Sequence, residues 1–98
     1  MTTPLLRSRA DVVTDAPVRY AKQLVSHLGR KEPFITDGAT STVRWETATA
    51  AVVVGDGVLT LLAEAPDEAG VALVEQVLGS HLERFGARDE LAVTWERS

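Results

Sequence analysis

The two histidines, His27 and His81, are the residues of this 98-residue chain with the widest chemical reach. His81 stands in the block Ser80-His81-Leu82-Glu83-Arg84-Phe85, which puts an imidazole, an acid, a base and an aromatic ring within six consecutive positions. An imidazole there can ligate a metal ion or haem, or act as a general base near neutral pH. At 100° per residue, His81 falls on one helix face with Val74, Val77, Leu78 and Phe85, flanked by Val71 and Leu82 on one side and Leu73 on the other, while Glu83 points away. On an apolar stripe such a histidine reads first as a packing residue that locks this helix to the sheet, its ring nitrogens bonded to a backbone carbonyl or a carboxylate, and second as half of a ligand site. His27 lies at the edge of an earlier helical segment, near Tyr20 and Gln23. The two rings can meet only if their helices lie side by side and in register. Two histidines make half a metal site, and Asp or Glu would have to supply the rest. Glu75 and Glu83 are the nearest acids in sequence. The candidate set is therefore His27 and His81 as ligands, with Tyr20, Glu83, Arg84 and Phe85 as supporting residues.

Other chemistry is poorly served. Ser26-His27 and Ser80-His81 are chain neighbours, and neighbours on a helix point about 100° apart, so neither is a nucleophile–base dyad. Gly55-Asp56-Gly57 precedes a strand pattern rather than a helix, which removes a phosphate-binding loop, and the ligand spacing of a calcium loop is absent. No pair of carboxylates shows a shared-site pattern. With no cysteine, disulfides, iron–sulfur clusters, thiolate zinc sites and a cysteine nucleophile are excluded. The net charge of −4 carries no electrostatic footprint for nucleic acid. No apolar run approaches the roughly 18 residues of a membrane span, and Met1 to Arg9 lacks the apolar core of a signal peptide. The expectation is a cytoplasmic protein with neither a nucleic acid nor a membrane as partner.

The elements that must position the histidines are legible from periodicity. Residues 1–8 read as a flexible arm and 9–98 as one domain. Arg9 to Thr14 alternates as a short strand. Asp15-Ala16-Pro17 opens a helix to about Leu28, with the Asp15 carboxylate as expected cap and Ala21, Leu24, Val25 and Leu28 as its buried stripe. Gly29 ends it, and the basic Arg30 and Lys31 suit its negative end. Four strand patterns follow: Pro33 to Thr36, Ser41 to Glu46, Thr49 to Val54 and Val58 to Glu64, with turn signals at Asp37-Gly38 and Asp56-Gly57. Pro66-Asp67-Glu68 opens the second helix, which runs to Phe85 and stops at Gly86; Gly70 and Gly79 within it suit close approach of a neighbouring element. Glu90 to Glu96 alternates as a last strand. The order β-α-β-β-β-β-α-β, with short turns, predicts an α+β two-layer sandwich: a largely antiparallel sheet with both helices on one face. The first helix is basic and the second acidic, so their rims should attract.

Several of these stretches together resemble a known family. Arg19-Tyr20, Lys22-Gln23-Leu24, Ser26-His27, Leu61-Leu62-Ala63-Glu64-Ala65, His81-Leu82-Glu83-Arg84-Phe85 and Glu90-Leu91-Ala92-Val93-Thr94-Trp95 are similar to the small bacterial domain-of-unknown-function 2218 family over about Arg9 to Trp95. The His-Leu-Glu-Arg-Phe block before the last strand is the most specific piece. The resemblance implies no established activity. It does imply a setting in iron acquisition, because members are found beside, or joined to, FAD-dependent siderophore-interacting proteins. It also leads one to expect a glycine-containing turn after an aromatic residue, where this chain has Glu46-Thr47-Ala48-Thr49-Ala50.

Without a catalytic constellation, the expected function is a non-enzymatic accessory or binding module, linked through the resemblance to siderophore handling, with a flavin-dependent siderophore-interacting protein or a small ligand as partner. No cofactor is required. One alternative is a metal- or haem-binding protein using His27 and His81. Another is a homodimer formed through Ala50 to Val54, if that apolar strand lies at a sheet edge.

Overall fold

The computed structural model describes residues 5–98. Its strands are β1 (Leu6–Val13), β2 (Ile35–Asp37), β3 (Thr40–Trp45), β4 (Ala48–Val54), β5 (Val58–Ala65) and β6 (Glu96–Arg97), and its helices are α1 (Pro17–Leu28) and α2 (Glu68–Phe85). All strand pairs are antiparallel, and the order across the sheet is β2-β3-β4-β5-β1-β6. Both helices cover one face. The two-layer α+β sandwich is therefore as the sequence predicts.

The hairpin chemistry sets the register. Gly57 has φ +69° and Gly38 φ +60°, the left-handed conformation that glycine adopts without a Cβ penalty. These turns pair Val54 with Leu59 and Asp37 with Thr40. The β3–β4 hairpin forms as well, with Trp45 opposite Ala48, although it lacks the glycine that the family resemblance leads one to expect. Glu46 takes the positive φ itself, at 56°. Register then puts Ala10, Val12, Ala50, Val52, Leu59, Leu61 and Ala63 beneath the helices, where every one of them is buried.

Five expectations need correction. Strand β1 begins at Leu6, so Leu6, Arg7 and Ser8 of the expected arm pair with β5; residues 1–4 of that arm lie outside the described residues. Asp15 does not cap α1. The cap position is Ala16, whose N–H donates to Thr14 Oγ1 at 3.1 Å, because Pro17 takes the first helical position. The buried stripe of α2 is Val71, Val74, Leu78 and Leu82, which turns His81, Val77 and Phe85 away from the sheet. The last strand shrinks to Glu96–Arg97, since Leu91, Val93 and Trp95 pack against α2 and the core rather than alternating across a sheet. Finally, Ala50 to Val54 lies in β4, paired on both sides, so it offers no edge for a dimer.

Caps agree with composition at α2. Asp67 Oδ1 accepts from the Gly70 N–H at 2.8 Å, satisfying one orphan donor of the first turn. Gly79 lets the terminal segment approach: a Cβ there would stand 3.1 Å from Trp95 Nε1 and 3.6 Å from Val93 Cγ1. The expected attraction between helix rims does not take the form of an ion pair between α1 and α2 among the described residues; Arg19 of α1 instead meets Asp89 in the 3-10 turn after α2, at 3.6 Å.

Candidate functional site

Turning α2 away from the sheet by part of a turn gives the histidines their setting. Helices α1 and α2 lie side by side, and the rings of His27 and His81 come together with centroids 5.2 Å apart and planes tilted by 45°. Phe85 stands edge-on to both, at 5.5 Å from His27 and 6.1 Å from His81. Within the block, His81 and Phe85 therefore face α1, while Leu82 packs in the core with Val71, Val74 and Leu78. His27 is exposed and His81 half-buried.

His81 Nδ1 lies 2.7 Å from the Val77 carbonyl oxygen, one helical turn back. A carbonyl only accepts, so Nδ1 carries the proton. In the neutral ring the lone pair then resides on Nε2, free to accept a hydrogen bond or bind a cation. The packing role and the ligand role are thus compatible: one nitrogen anchors the ring and the other remains available.

The pair opens into a cleft of about 500 Å³ between the C-terminal half of α1 and the side of α2. Its walls are Leu28, Trp45, Leu73 and Val77, and its cationic rim is Arg30 and Lys31. Trp45 is held by a T-shaped contact with Phe34, centroids 6.3 Å apart. Among the described residues, neither Arg30 nor Lys31 belongs to an ion pair. The sequence alone presents these two cations as companions of the α1 dipole. What it lacked was the fold of residues 29–45, which places them and Trp45 around the histidines; the signal in the sequence was the acid-free basic stretch from Arg19 to Lys31.

The supporting residues separate. Tyr20 is seven residues before His27, about 10 Å along the helix axis. Its ring is buried, and its hydroxyl donates to Asp89 Oδ2. That bond holds the phenol above its ordinary range, with burial adding to the effect. The Arg19 guanidinium lies over the same ring, 4.9 Å from its centroid. Glu83 does not reach the histidines: its carboxylate accepts from the Val93 N–H at 3.0 Å and fixes the terminal segment. Arg84 is exposed, and Phe85 alone of the four joins the histidine pair. Glu75, the other nearby acid, accepts from Ser8 Oγ at 2.6 Å and from Arg97 at 2.8 Å. No group of three or more His, Asp or Glu placed to hold a metal occurs among the described residues.

A larger groove of about 670 Å³ runs between α1 and the β2–β3 end of the sheet, along Val18, Val25 and Val54. Lys22 is its one charged lining residue. Ligand sites combine an apolar wall with convergent polar groups. The groove offers one cation and the hydroxyls of Ser26, Thr36 and Ser41, whereas the histidine cleft brings two imidazoles and two cations to its apolar wall.

The fold and cleft define a small two-layer α+β domain that brings two imidazoles and two cations to the seam between its helices. The chain belongs to the DUF2218 family, described as an uncharacterized protein conserved in bacteria, whose model matches residues 9–96. The fold is also that of PA4090 from Pseudomonas aeruginosa, solved by NMR, with a TM-score of 0.79 at 22% identity over 93% of this chain and 95% of that one. No curated protein matches the chain significantly. Among the described residues, no helix is long and apolar enough to cross a membrane.

Proposed function

We propose that this protein is a non-catalytic binding module whose site is the cleft at the α1–α2 seam, and that its ligand is a small anion with an aromatic or otherwise apolar body. One observation carries the reading: Arg30 and Lys31, which form no ion pair among the described residues, line the same cleft as an apolar wall of Trp45, Leu73 and Val77. An aromatic ring can lie on that wall, while its carboxylate or phenolate meets the guanidinium and ammonium groups. The His81 Nε2 and the exposed His27 ring add polar contacts beneath. A nucleophile with a base is missing from this constellation, so binding rather than turnover is the role it supports. The setting that the family resemblance implies suits such a ligand. Siderophores are anionic oxygen chelators, many with catechol or phenol rings, and a flavin-dependent siderophore-interacting protein is the partner in that setting.

The test is a titration of the isotopically labelled protein with benzoate and with salicylate, followed by amide shifts. Shifts should concentrate at Leu28 to Lys31, Trp45 and Val77 to His81. The double variant Arg30→Gln/Lys31→Gln should weaken binding at least about fivefold, since each charge-assisted contact contributes on the order of 1 kcal/mol even when partly exposed. Raising the salt should weaken the parent protein's binding in the same direction. Shifts confined to the groove at Val18 and Val54, or affinity unchanged in the double variant, would place the ligand elsewhere and sink the reading.

A further inference from the structure

The histidine pair has a geometry that an anion cleft alone does not require. Imidazole nitrogens bind zinc-like ions at about 2.0–2.1 Å, which puts each ring centroid about 3.2 Å from the metal. Two such rings at the tetrahedral angle have centroids roughly 5.2 Å apart. The observed spacing of His27 and His81 is 5.2 Å. The proton of His81 is committed to the Val77 carbonyl, at 2.7 Å, an anchoring bond of the kind that orients metal-ligating histidines and leaves Nε2 as donor to the metal. Position on the helices adds to this. His27 lies in the last turn of α1, and His81 lies one turn before the end of α2. Carbonyl groups of terminal turns create a negative potential that favours a cation nearby.

Two features then limit what the pair can hold. The nearby carboxylates are engaged: Glu83 with the Val93 N–H, Glu75 with Ser8 and Arg97. A metal on the two imidazoles would therefore retain at least two open positions. Arg30 and Lys31 line the same cleft and oppose a bare dication, yet they favour an anion beside it. Both conditions are met at once if the remaining ligands are the oxygens of an anionic chelator.

We infer that His27 and His81 bind a divalent transition-metal ion of the zinc, nickel or copper type, whose open positions are closed by an oxygen-donor chelating anion seated against Arg30, Lys31 and Trp45. This inference rests on the anion reading of the cleft and adds the metal and the chelating character of the ligand. The two imidazoles are neutral ligands, so the metal alone binds weakly. The chelator supplies the negative charge that the protein withholds.

The experiment uses the whole chain, titrated with zinc and with nickel by calorimetry, in the absence of organic anion and in the presence of salicylate, a chelator, or benzoate, which chelates poorly. The imidazole nitrogens are followed by long-range nitrogen–proton correlation. One metal per chain should bind with loss of the Nε2 lone-pair signal of His81, and salicylate should tighten it at least about tenfold while benzoate does not. His27→Ala, at an exposed position, should weaken metal at least tenfold, and so should His81→Gln. Metal bound equally well by His27→Ala, or equally tightly with and without salicylate, overturns the inference. Loss of metal-free benzoate binding in the parent protein, with histidine-dependent metal binding retained, overturns the anion reading instead, so the two failures are told apart.

Discussion

Glu46 takes a conformation that L side chains avoid. Its φ of 56° is the left-handed value, which costs a residue with a Cβ roughly 1–2 kcal/mol. The two-residue connection between Trp45 and Ala48 imposes it, and the Arg44 Nε, which donates to the Glu46 carbonyl at 3.2 Å, helps to hold the turn. That hydrogen bond reaches the backbone, so it survives any change of side chain. Glu46→Gly should therefore stabilise the fold. Relief of the left-handed strain outweighs the greater freedom of glycine in the unfolded chain, for a net gain of about 0.5–1 kcal/mol. A urea melt that shows an unchanged or lower midpoint would contradict this. The residue matters to the candidate site because the turn presents Trp45, and a firmer turn should leave benzoate affinity unaltered or raised. The missing glycine was visible in the sequence. That a glutamate would bear the strain instead was not, because only the closed ladder between β3 and β4 forces it.

At the scale of elements, the segment after α2 decides how the seam between the helices is built. Gly86 ends α2 with φ −97°, a value open to any residue, so its glycine is explained by space and not by backbone conformation. A Cβ there would meet Leu91, 2.5 Å from Cγ and 2.9 Å from Cβ. Gly86→Ala should cost about 1–3 kcal/mol through overpacking, read as a lowered urea midpoint; a neutral result would mean that Leu91 moves aside freely. Periodicity and turn chemistry made most elements legible: α1 from Pro17 to Leu28, both Asp-Gly hairpins, and the order of the strands. They failed where tertiary contacts override local pattern. Leu91, Val93 and Trp95 alternate like a strand, yet they lie along Gly79 of α2 and Gly86 just past its end while Glu83 takes the Val93 N–H. The angular count on α2 erred for a related reason. It centred the apolar face on His81, whereas the sheet takes the neighbouring stripe and leaves His81 to α1. From sequence, the histidines were identifiable as candidates and their proximity conditional on adjacent helices. Arg30 and Lys31 were read only as dipole partners, since nothing local shows that residues 29–45 curl them toward the pair.

At the scale of the molecule, one polar junction ties the first strand, the second helix and the end of the chain together. Glu75 accepts from Ser8 Oγ in β1 at 2.6 Å and from Arg97 in β6 at 2.8 Å, and the Ser98 N–H closes the edge on the Arg7 carbonyl at 3.0 Å. The Arg97 guanidinium holds the Glu75 carboxyl below its usual 4.5, aided by Ser8 and opposed by partial burial. Arg97 is itself pushed upward by Glu75, with a smaller contribution from Glu68. Because the folded value of Glu75 lies below the unfolded one, the junction stabilises fully above the unfolded value. Its contribution is lost as the pH falls through the folded one. Arg97 is 46% exposed at its side chain, so solvent screening keeps the contribution small. Its removal should therefore loosen the terminal strand rather than unfold the domain, whose core lies on the other side of β1. Acidification through the carboxyl range should lower the protection of the Ser98 amide and the adjoining β1 amides, relative to their intrinsic exchange, before the protection of β4 and β5 declines. Glu75→Gln should show the same local opening at neutral pH and no further acid step at that edge. If the Ser98 amide instead loses protection only together with β5, the terminal strand is held by the packing of Trp95 and Val93 on α2 and not by the carboxylate, which moves the weight of that junction from charge to apolar contact.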